Sequence, residues 1–386
     1  MSSPAYSTTA ARADATPSAT RKTRTLTIAV VAPSLEILGG QGVQARALMD
    51  ELQACEFKVM FVPVNPAFPR GLRWLRKIPV LRTILNQLIY IPSLLRLRHA
   101  DVVHAFSASY WSFLLAPMPA ILAARLFRKP IVLNYHSGEA GDHLEHWGLR
   151  VHPWLKLVDK IVVPSCYLQQ IFAQYGYSTR VIRNMVDTAR FSYRERDPLQ
   201  PKLLSSRNLE PLYGVDNTLK AFALIKKQYP EATLTVAGYG SQEAYLKAWV
   251  QANRLKDVRF VGRVEPPDMP KLYDEADVFL NSSTIDNQPV SILEAFSAGL
   301  AVVSTPTGDI AAMLLNGARG QLVPPNDPIA MAAAVSAALD QPAEITPMMR
   351  RARNEAERYT GPMVCHEWAE VYAESHANNN YRTSAA

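Results

Sequence analysis

The chain has 386 residues, of which 48% are apolar and 19% are charged, and its formal net charge is +7. This length exceeds what a single hydrophobic core commonly supports, so it predicts two folded domains rather than one. Three cysteines, Cys55, Cys166 and Cys365, lie far apart in the sequence. That spacing argues against a disulfide framework and a zinc site, and it is typical of a reducing compartment.

Both ends of the chain are polar. Residues 1–24 are rich in Ser, Thr and Ala and contain no apolar segment, which predicts a disordered tail and argues against a secretory signal. Residues 378–386 are predicted to form a second disordered tail. No uncharged apolar run approaches the ~20 residues that a bilayer-spanning helix needs. We therefore expect a cytoplasmic protein that associates with a membrane at most peripherally.

Six short apolar segments alternate with helical segments between residues 25 and 193. The predicted strands are LTIAVVAPS, KVMFVPV, ADVVHAFS, KPIVLNYHS, VDKIVVPS and STRVIRN. Near-continuous apolar strands that alternate with helices are typical of a parallel sheet covered on both faces. The sequence therefore predicts a first α/β domain over this range.

A charged stretch with two prolines at residues 194–202 predicts a linker, after which the pattern restarts. Strands are predicted over 203–358 in LLSSRNL, ATLTVAGYG, VRFVGRV, ADVFLNSS, LAVVSTP and GQLVPP. A helix over 359–377 is expected to pack back on the first domain. The predicted fold class is α/β, with two doubly wound parallel-sheet, Rossmann-like domains that face a cleft. Ligands of such sheets bind at the carboxyl ends of the strands.

The turn after the first strand is rich in glycine. It contains Gly39, Gly40 and Gly42. Glycines lack a Cβ atom, so a phosphate or sugar can approach the backbone here. With Ala45 they also fit the dinucleotide fingerprint G-x-G-x-x-A, which requires an acid near the end of the second strand. No Asp or Glu occurs from Phe57 to Ala100, which argues against an NAD site. NADP, held through Arg70, is the remaining dinucleotide alternative.

The same acid-free window is strongly basic. Its segment RGLRWLRKIPVLRTILNQLIYIPSLLRLRH interleaves Arg and Lys with Leu, Ile, Trp and Tyr. Basic amphipathic segments of this kind suit an anionic bilayer interface. Nucleic acid is disfavoured as a partner because phosphates do not need so large an apolar face; ordinary helices packed on the sheet are the other alternative. Within residues 68–99, the predicted membrane contacts are Arg73, Trp74, Arg76, Lys77 and Arg82.

Nine motifs occur in a recognisable order along the chain. They are GGQG, DVVHAFS, KPIVLNYHSGEA, VIRNMVDTARF, SRNLEPLYGVDNTLKAFALI, TLTVAGYGSQ, VRFVGRV, STIDNQPVSILEAFSAGLAVVST and GARGQLVPPNDPIAMAAAV. As an ordered set they resemble glycosyltransferase family 4, the retaining nucleotide-sugar transferases with the GT-B fold. The resemblance runs from Leu26 to Tyr372. It implies an N-terminal acceptor-side domain, a C-terminal nucleotide-sugar-binding domain and no metal or other cofactor; no Asp-x-Asp metal motif is present.

Two acids in this sequence match a pair of acids that the family uses at its donor site. The resemblance implies that Glu294 binds the ribose hydroxyls and that Asp286 contacts the donor sugar. An acid flanked by apolar residues is costly to bury without such a partner; complementing a helix dipole is the alternative. Asp286 stands where the family has glutamate. Because aspartate is one methylene shorter, the preference for the donor sugar is expected to differ.

Two further residues, Arg207 and His136, are assigned through the resemblance. Arg207 matches the arginine that clamps the diphosphate. The lysine expected six residues later is Tyr213 here, so one phosphate cation is missing; the Tyr213 hydroxyl, a nearby base or helix amides would compensate. His136 matches the histidine that hydrogen-bonds the donor sugar near the reacting carbon, with a strand-capping histidine as the alternative. Glu139 is a candidate acceptor contact.

The strand–turn–helix stretch DVFLNSSTIDNQPVSILE predicts a cradle for an anion. Pro289 suits the first turn of a helix that begins near Val290, and free amides there favour a leaving diphosphate. The amides assigned to this cradle are those of Asn287, Gln288, Val290 and Ser291. The nucleotide base is assigned to Gly262, Arg263 and Val264, where a simple β-turn is the alternative.

These expectations combine into one function. The implied enzyme is a metal-independent retaining glycosyltransferase of hexosyltransferase type, which moves a sugar from a nucleoside-diphosphate donor to a polysaccharide or lipid-linked acceptor. Exopolysaccharide or cell-envelope glycan synthesis is the expected setting. Two alternatives stay open. One is a catalytically weak or inert nucleotide-binding scaffold, suggested by Tyr213 and Asp286. The other is a GT-B epimerase that interconverts nucleotide sugars without an acceptor.

Overall fold

The computed structural model describes residues 25–34, 40–68, 71, 74 and 78–384. The tail expected at 1–24 lies outside this range, as do four of the predicted site residues, Gly39, Arg73, Arg76 and Lys77. Among the described helices, none combines the length and the apolar character that crossing a bilayer would require.

The N-terminal domain is a six-stranded parallel sheet with strand order β2-β1-β3-β4-β5-β6. Its strands are β1 (Thr27–Ala32), β2 (Lys58–Pro63), β3 (Val102–Ser107), β4 (Ile131–Tyr135), β5 (Lys160–Val163) and β6 (Thr179–Val181). Its helices are α1 (Gly40–Ala54), α2 (Pro79–Ser93), α3 (Tyr110–Leu115), α4 (Pro117–Leu126), α5 (Ala140–His146), α6 (Gly148–Leu155) and α7 (Cys166–Gln174).

Alternation along β1 explains why this sheet is buried on both faces. Ala29 and Val31 belong to one apolar core, whereas Ile28 and Val30 belong to the core on the opposite face. Side chains of a strand point alternately to the two faces, so an uninterrupted apolar run needs a covering layer on each. The helices supply those layers.

The C-terminal domain repeats this architecture with strand order β12-β11-β10-β7-β8-β9. Its strands are β7 (Lys202–Ser206), β8 (Thr233–Ala237), β9 (Val258–Gly262), β10 (Val278–Asn281), β11 (Ala301–Ser304) and β12 (Gln321–Leu322). Its helices are α8 (Val215–Gln228), α9 (Glu243–Ala252), α10 (Met269–Asp274), α11 (Val290–Ala298), α12 (Ile310–Met313), α13 (Pro328–Asp340) and α14 (Pro342–Ala356). The predicted fold class, two doubly wound parallel-sheet domains, is confirmed.

The chain crosses between the domains twice. The last helix, α15 (Gly361–Ser384), follows the C-terminal domain but packs on the N-terminal one, where Trp368 and Tyr372 share a core with Ile28. The tail expected at 378–386 needs a correction, because α15 continues to Ser384. An amide hydrogen bond from Asn379 to the Arg128 carbonyl, 3.2 Å long, holds this last part of the helix against the N-terminal domain.

The topology places a loop-rich edge of each sheet at the cleft. In the C-terminal sheet the strand order reverses between β7 and β10, which are neighbours although they are not consecutive in the chain. Loops that leave such a pair diverge and open a crevice at the carboxyl ends of the strands. Arg207 follows β7 and Asp286 follows β10, so both lie at this crevice.

Candidate active site

A cavity of about 410 Å³, called here the cleft cavity, lies between the two domains. Residues that follow β4 in the first domain and residues that follow β7 and β10 in the second contribute to its wall. The members that the argument below uses are Gly40, His136, Glu139, Arg207, Tyr213 and Asp286, together with the start of α11. Residues from distant parts of the chain therefore meet at one site.

Arg207 is held in place by three groups. Its Nη2 atom lies 2.5 Å from Oδ2 of Asp286, and its Nη1 atom donates to the Ser291 hydroxyl over 3.1 Å. The guanidinium carbon lies 4.3 Å from the ring centre of Tyr213. The side chain is only 10% exposed, and its buried Nε atom lacks a hydrogen-bond partner among the described residues. The Arg207 guanidinium is thus held in position, and its Nε–H group has no acceptor in the described part of the chain.

Tyr213 contributes an aromatic face where the family has a cation. It ends a short 3-10 turn, Pro211–Tyr213, and burial raises the pKa of its hydroxyl, so the side chain stays neutral at physiological pH. An arginine over an aromatic ring gains a cation–π attraction. The position therefore supports Arg207 sterically and electrostatically, without adding a positive charge to the site.

Glu294 lies on α11, half-buried, at a second cavity of about 190 Å³, called here the side cavity. The Tyr273 hydroxyl donates to its Oε2 atom over 2.7 Å. Burial raises the pKa of Glu294 to about 7, against the opposing effects of the Tyr273 hydrogen bond and of Arg190 and Arg207. The side cavity and the cleft cavity share Arg207 in their walls. A ligand that occupied both cavities would therefore contact the Arg207 guanidinium between them.

The predicted anion cradle needs a partial correction. Helix α11 begins at Val290 after Pro289, so the amides of Val290 and Ser291 lie in its first turn and have no acceptor within the helix. The amide of Asn287, by contrast, donates to Oδ1 of Asp286 over 2.9 Å and is not free. The candidate anion site thus consists of the amides in the first turn of α11, and Asp286 lies on its N-terminal side.

The side chains of Asn287 and Gln288 fasten the two domains to each other. The Ser165 hydroxyl of the first domain donates to Oδ1 of Asn287. The backbone amide of Asn184 donates to Oε1 of Gln288 over 2.7 Å, and the Asn184 side chain donates to the Gln288 carbonyl over 2.9 Å. Both residues line the cleft cavity, yet their side-chain hydrogen bonds set the spacing of the domains.

His136 follows β4 and faces the cleft cavity. Its ring stacks on Phe106 with the ring centres 5.2 Å apart. Burial lowers the pKa of His136 to about 4, which keeps the imidazole neutral at physiological pH. Its Nε2 atom is buried and has no hydrogen-bond partner among the described residues. A neutral ring nitrogen without a partner is available to a ligand hydroxyl.

Several predicted binding residues are placed away from the cleft cavity. Gly40 lines it, whereas Gly42 is buried on α1 and lines a different cavity at the domain crossing. Arg263 and Val264 line the side cavity, but Gly262 does not, and Arg263 forms an ion pair with Glu265 over 3.1 Å. Gly42 and Gly262 thus lie outside the walls of the cleft cavity and the side cavity, and their roles in donor binding stay predictions.

Two residues of the site escaped the sequence reasoning. Tyr273, which orients Glu294, is fully buried on α10 and looks like an ordinary core aromatic in the sequence. Arg190 lines the side cavity near Glu294 and lies at the first crossing between the domains. The only feature of the sequence that points to Arg190 as a site residue is its place in the motif VIRNMVDTARF.

A third cavity, of about 540 Å³ and called here the N-terminal cavity, adjoins the cleft cavity and shares Gln41 and Ala108 with it. One face of α2 contributes Arg82, Thr83, Asn86 and Gln87 to its wall. The structure therefore places Arg82 at this cavity, on an exposed part of α2, and leaves Trp74 60% exposed.

The described residues contain no cluster of three or more His, Cys, Asp or Glu side chains arranged to hold a metal ion.

Two family models match adjoining parts of the chain. The model described as Glycosyltransferase Family 4 matches residues 38–190, and the model described as Glycosyl transferases group 1 matches residues 188–359. Their boundary coincides with the first crossing between the domains. Together they cover the strands from β2 to β12, whereas β1 (Thr27–Ala32) precedes the first match.

Curated relatives and solved structures agree with these matches. Glycogen synthase of Mycobacterium tuberculosis is 31% identical over 275 residues, which are 67% of this chain and 64% of that relative. Amylovoran biosynthesis glycosyltransferase AmsK of Erwinia amylovora is 29% identical over 207 residues, 51% of this chain and 49% of that relative. The chain thus spans about half to two thirds of the length of these relatives.

The fold is found in solved structures at low sequence identity. HepE of Anabaena in complex with UDP-glucose has a TM-score of 0.72 at 20% identity, over 90% of this chain and 100% of that one. Sucrose-phosphate synthase of Thermosynechococcus elongatus also has a TM-score of 0.72, at 18% identity, over 92% and 100%. Two matched family models in sequence, and two facing Rossmann-like domains in structure, identify the chain as a member of glycosyltransferase family 4 with the GT-B fold.

Proposed function

We propose that this chain is a retaining glycosyltransferase that transfers a hexose-type sugar from a nucleoside-diphosphate donor to a glycan or lipid-linked acceptor. The observation that carries the proposal is the position of Arg207. It lies where the cleft cavity meets the side cavity, between the Glu294 carboxylate and the first turn of α11. A diphosphate at this point has its ribose on the Glu294 side and its sugar on the His136 side.

The chemistry of the step follows from where charge develops. As the bond between the sugar and the diphosphate breaks, negative charge grows on the leaving oxygen, and Arg207 and the free amides of α11 stabilise it. We assign no metal to this task. A neutral His136 accepts from or donates to a sugar hydroxyl without adding charge beside the cationic sugar. A departing phosphate oxygen can then take the proton of the attacking hydroxyl on the same face, which retains configuration.

Asp286 acts in this proposal as a positioning group. Its two oxygens are occupied by Arg207 and by the Asn287 amide, so it is poorly placed to attack a sugar carbon. When the diphosphate binds, it competes with Asp286 for the Arg207 guanidinium. The carboxylate is then free to face the donor sugar, and it can accept hydrogen bonds from the sugar hydroxyls.

The acceptor side of the proposal rests on α2. One face of this helix contributes polar side chains to the N-terminal cavity, which opens into the cleft cavity. The opposite face of α2 and the 3-10 turn that follows it, Leu94–His99, carry a row of apolar side chains, the apolar stripe, each between 42% and 66% exposed: Leu81, Ile84, Leu88 and Ile91 on α2, and Leu95 on the turn. Arg96 and Arg98 on the same turn are exposed, Arg82 is exposed on the cavity-lining face of α2, and the window contains no acid.

We propose that this stripe docks the N-terminal domain on the inner, anionic face of the cytoplasmic membrane. The charge argues for an anionic lipid surface, because apolar side chains enter the interface while neighbouring arginines contact the headgroups. A lipid-linked acceptor at that surface would reach the cleft through the N-terminal cavity. Exopolysaccharide or cell-envelope glycan synthesis is the proposed setting, and the curated relatives include an amylovoran biosynthesis enzyme.

The central test measures donor binding and turnover. UDP-, GDP- and ADP-sugars are first compared by thermal shift, and the stabilising donor is then assayed for sugar release and transfer. We expect Glu294→Ala to raise KM for that donor about tenfold or more, because two hydrogen bonds to a charged group are lost. Glu344→Ala, at an exposed position of α14, is the matched control and should behave like the unmodified chain.

The outcomes separate the proposal from its alternatives. A chain that binds a nucleotide sugar yet neither hydrolyses nor transfers it is a scaffold. One that interconverts two donors with no acceptor present is an epimerase. Turnover that survives Glu294→Ala unchanged would place the nucleoside somewhere other than the side cavity.

A further inference from the structure

Two of the three cysteines, far apart in sequence, are adjacent in the structure. Cys55 follows the end of α1, and Cys365 lies in the first turns of α15. They are 310 residues apart in the chain, yet their Sγ atoms lie 2.7 Å from each other. The spacing of the cysteines in the sequence argues against a disulfide framework, but the fold brings two of the three sulfurs into contact.

The packing around the pair keeps the two sulfurs together. Cys365 is completely buried, and its Sγ atom also lies 3.6 Å from the Glu51 carbonyl on α1. Val364 and Trp368, on either side of Cys365, are buried in the core that contains Leu48 of α1. A disulfide bond is about 2.05 Å long, so the sulfurs need to approach by less than an ångström to form one.

We propose that Cys55 and Cys365 form a reversible intramolecular disulfide when the protein meets an oxidant of the peroxide class. This modification site lies away from the cleft cavity and does not depend on the proposed transfer reaction. Both thiols are free in the structure, so the proposal concerns a reaction of the reduced protein.

The two thiols differ in a way that sets the order of events. Cys55 is exposed, whereas burial, followed by the contact with Cys55, raises the pKa of Cys365 to about 12. Because Cys55 is exposed and Cys365 is buried, Cys55 is the residue that a peroxide reaches, and its sulfur reacts first. Cys365 is the resolving thiol, held in place beside it.

The reaction balances with hydrogen peroxide as the named oxidant. The Cys55 sulfur attacks one peroxide oxygen, an S–O bond forms, the O–O bond breaks, and the other oxygen leaves as water after taking a proton. The Cys365 sulfur then attacks the Cys55 sulfur, an S–S bond forms, and the hydroxyl leaves as water with the Cys365 proton. Two thiols lose two electrons and two protons, and one peroxide becomes two waters.

The Cys55–Cys365 disulfide would covalently fix the second crossing of the chain, from the C-terminal domain back to the N-terminal domain. It joins the end of α1 to the start of α15, and α15 begins directly after the chain leaves the C-terminal domain. The closed loop contains most of both domains, and long loops lose the most unfolded-state entropy when they are closed. We therefore expect the oxidised protein to melt several degrees higher than the reduced protein.

The test uses the full chain treated with hydrogen peroxide under non-reducing conditions. The expected product is a monomer with a Cys55–Cys365 cross-linked peptide by mass spectrometry, one free thiol in place of three, and a raised Tm that dithiothreitol reverses. Cys166→Ser, which changes an exposed cysteine outside the pair, should keep the cross-link and the shift. Cys55→Ser should lose both.

Cys55 is exposed, so Cys55→Ser is expected to fold and keeps the test decisive even if Cys365→Ser does not. A dimer linked between chains, a cross-link that includes Cys166, or over-oxidation of Cys55 to the sulfinic acid without any Cys55–Cys365 peptide would each overturn the proposal. So would an oxidised monomer in which both thiols stay free.

Discussion

At the scale of single residues, the site is defined by ionisable groups whose surroundings set their charge. Glu294 is half-buried beside the Tyr273 hydroxyl, with Arg207 and Arg190 nearby, and its pKa rises to about 7. His136 is kept neutral by a pKa lowered to about 4. The site therefore presents one carboxylate that changes charge near physiological pH and one imidazole that does not.

The raised pKa predicts a pH dependence of donor binding. Ribose hydroxyls donate to an ionised carboxylate, so affinity for the nucleotide-sugar donor selected by thermal shift should increase as pH rises from about 5.5 to 8, with a midpoint near 7. The diphosphate of a nucleotide sugar stays ionised over this range, and His136 does not titrate there. Calorimetry of the unmodified chain and of Glu294→Gln checks this. The variant should bind weakly with no such midpoint, and an unchanged profile would contradict the assignment.

Glu294 affects stability in the opposite direction. Its folded pKa, about 7, lies above its ordinary value of 4.5, so between these values the unfolded chain releases the proton and the folded chain keeps it. The free energy of unfolding contributed by this group therefore falls as pH rises through that window and is constant above it. Binding and stability thus oppose each other at this residue, which is common at functional sites.

At the scale of elements, a buried arginine fastens the interdomain segment to the C-terminal domain. Arg196 lies within the linker predicted at 194–202, yet it is only 1% exposed. Its guanidinium donates to the carbonyls of Ala276, Ala298 and Tyr273 at 2.8, 2.5 and 3.0 Å and lies 3.2 Å from Asp277. This segment is therefore an integral part of the second domain rather than a loose tether.

We predict that Arg196→Ala destabilises the C-terminal domain by about 3 to 5 kcal/mol, because it leaves three carbonyls and a buried carboxylate without this partner. Chemical denaturation monitored by circular dichroism measures the loss. The control is Arg350→Ala, which removes an exposed ion pair with Glu195 of the same segment and should cost less than about 1 kcal/mol. Equal costs for the two variants would show that Arg196 is an ordinary surface residue.

At the scale of the whole molecule, charge and exposed apolar surface are concentrated on one part of the N-terminal domain. The apolar stripe of α2 is exposed even though the helix is firmly anchored. The Tyr90 hydroxyl donates to the Ala116 carbonyl over 2.7 Å, and Gln87 donates to the Leu115 carbonyl over 3.0 Å. An uncovered apolar row on a well-anchored helix is typical of a binding surface, which supports the proposed docking.

We predict that the chain binds vesicles containing anionic lipid and that Ile84→Asp with Leu88→Asp weakens this binding about tenfold or more. Two exposed apolar side chains that would enter the lipid interface are then replaced by charges that anionic lipid repels. Vesicle flotation with and without anionic lipid measures it. Ile329→Asp, at a position 71% exposed on the C-terminal domain, is the control and should retain binding. Equal flotation on neutral and anionic vesicles would rule out the proposed docking.

Much of the fold could be predicted because it depends on local pattern. Most of the described strands lie where apolar, β-branched runs occur, since a strand buried on both faces is largely apolar. The short edge strands β6 and β12 are exceptions, because they are only partly buried. The two-domain division and the position of Arg207 and Asp286 at strand ends follow from the same pattern. The order of the motifs along the chain was sufficient to name the family.

What only the tertiary structure decided depends on residues that meet across long stretches of chain. The sequence could not pair Cys55 with Cys365, bring Tyr273 to Glu294, or show that Asn287 and Gln288 join the domains. It also could not show that the Tyr213 ring packs against the Arg207 guanidinium. Local periodicity reports whether a side chain is buried. Its contact partner is set by how the two sheets and the last helix pack, and no short window of sequence contains that information.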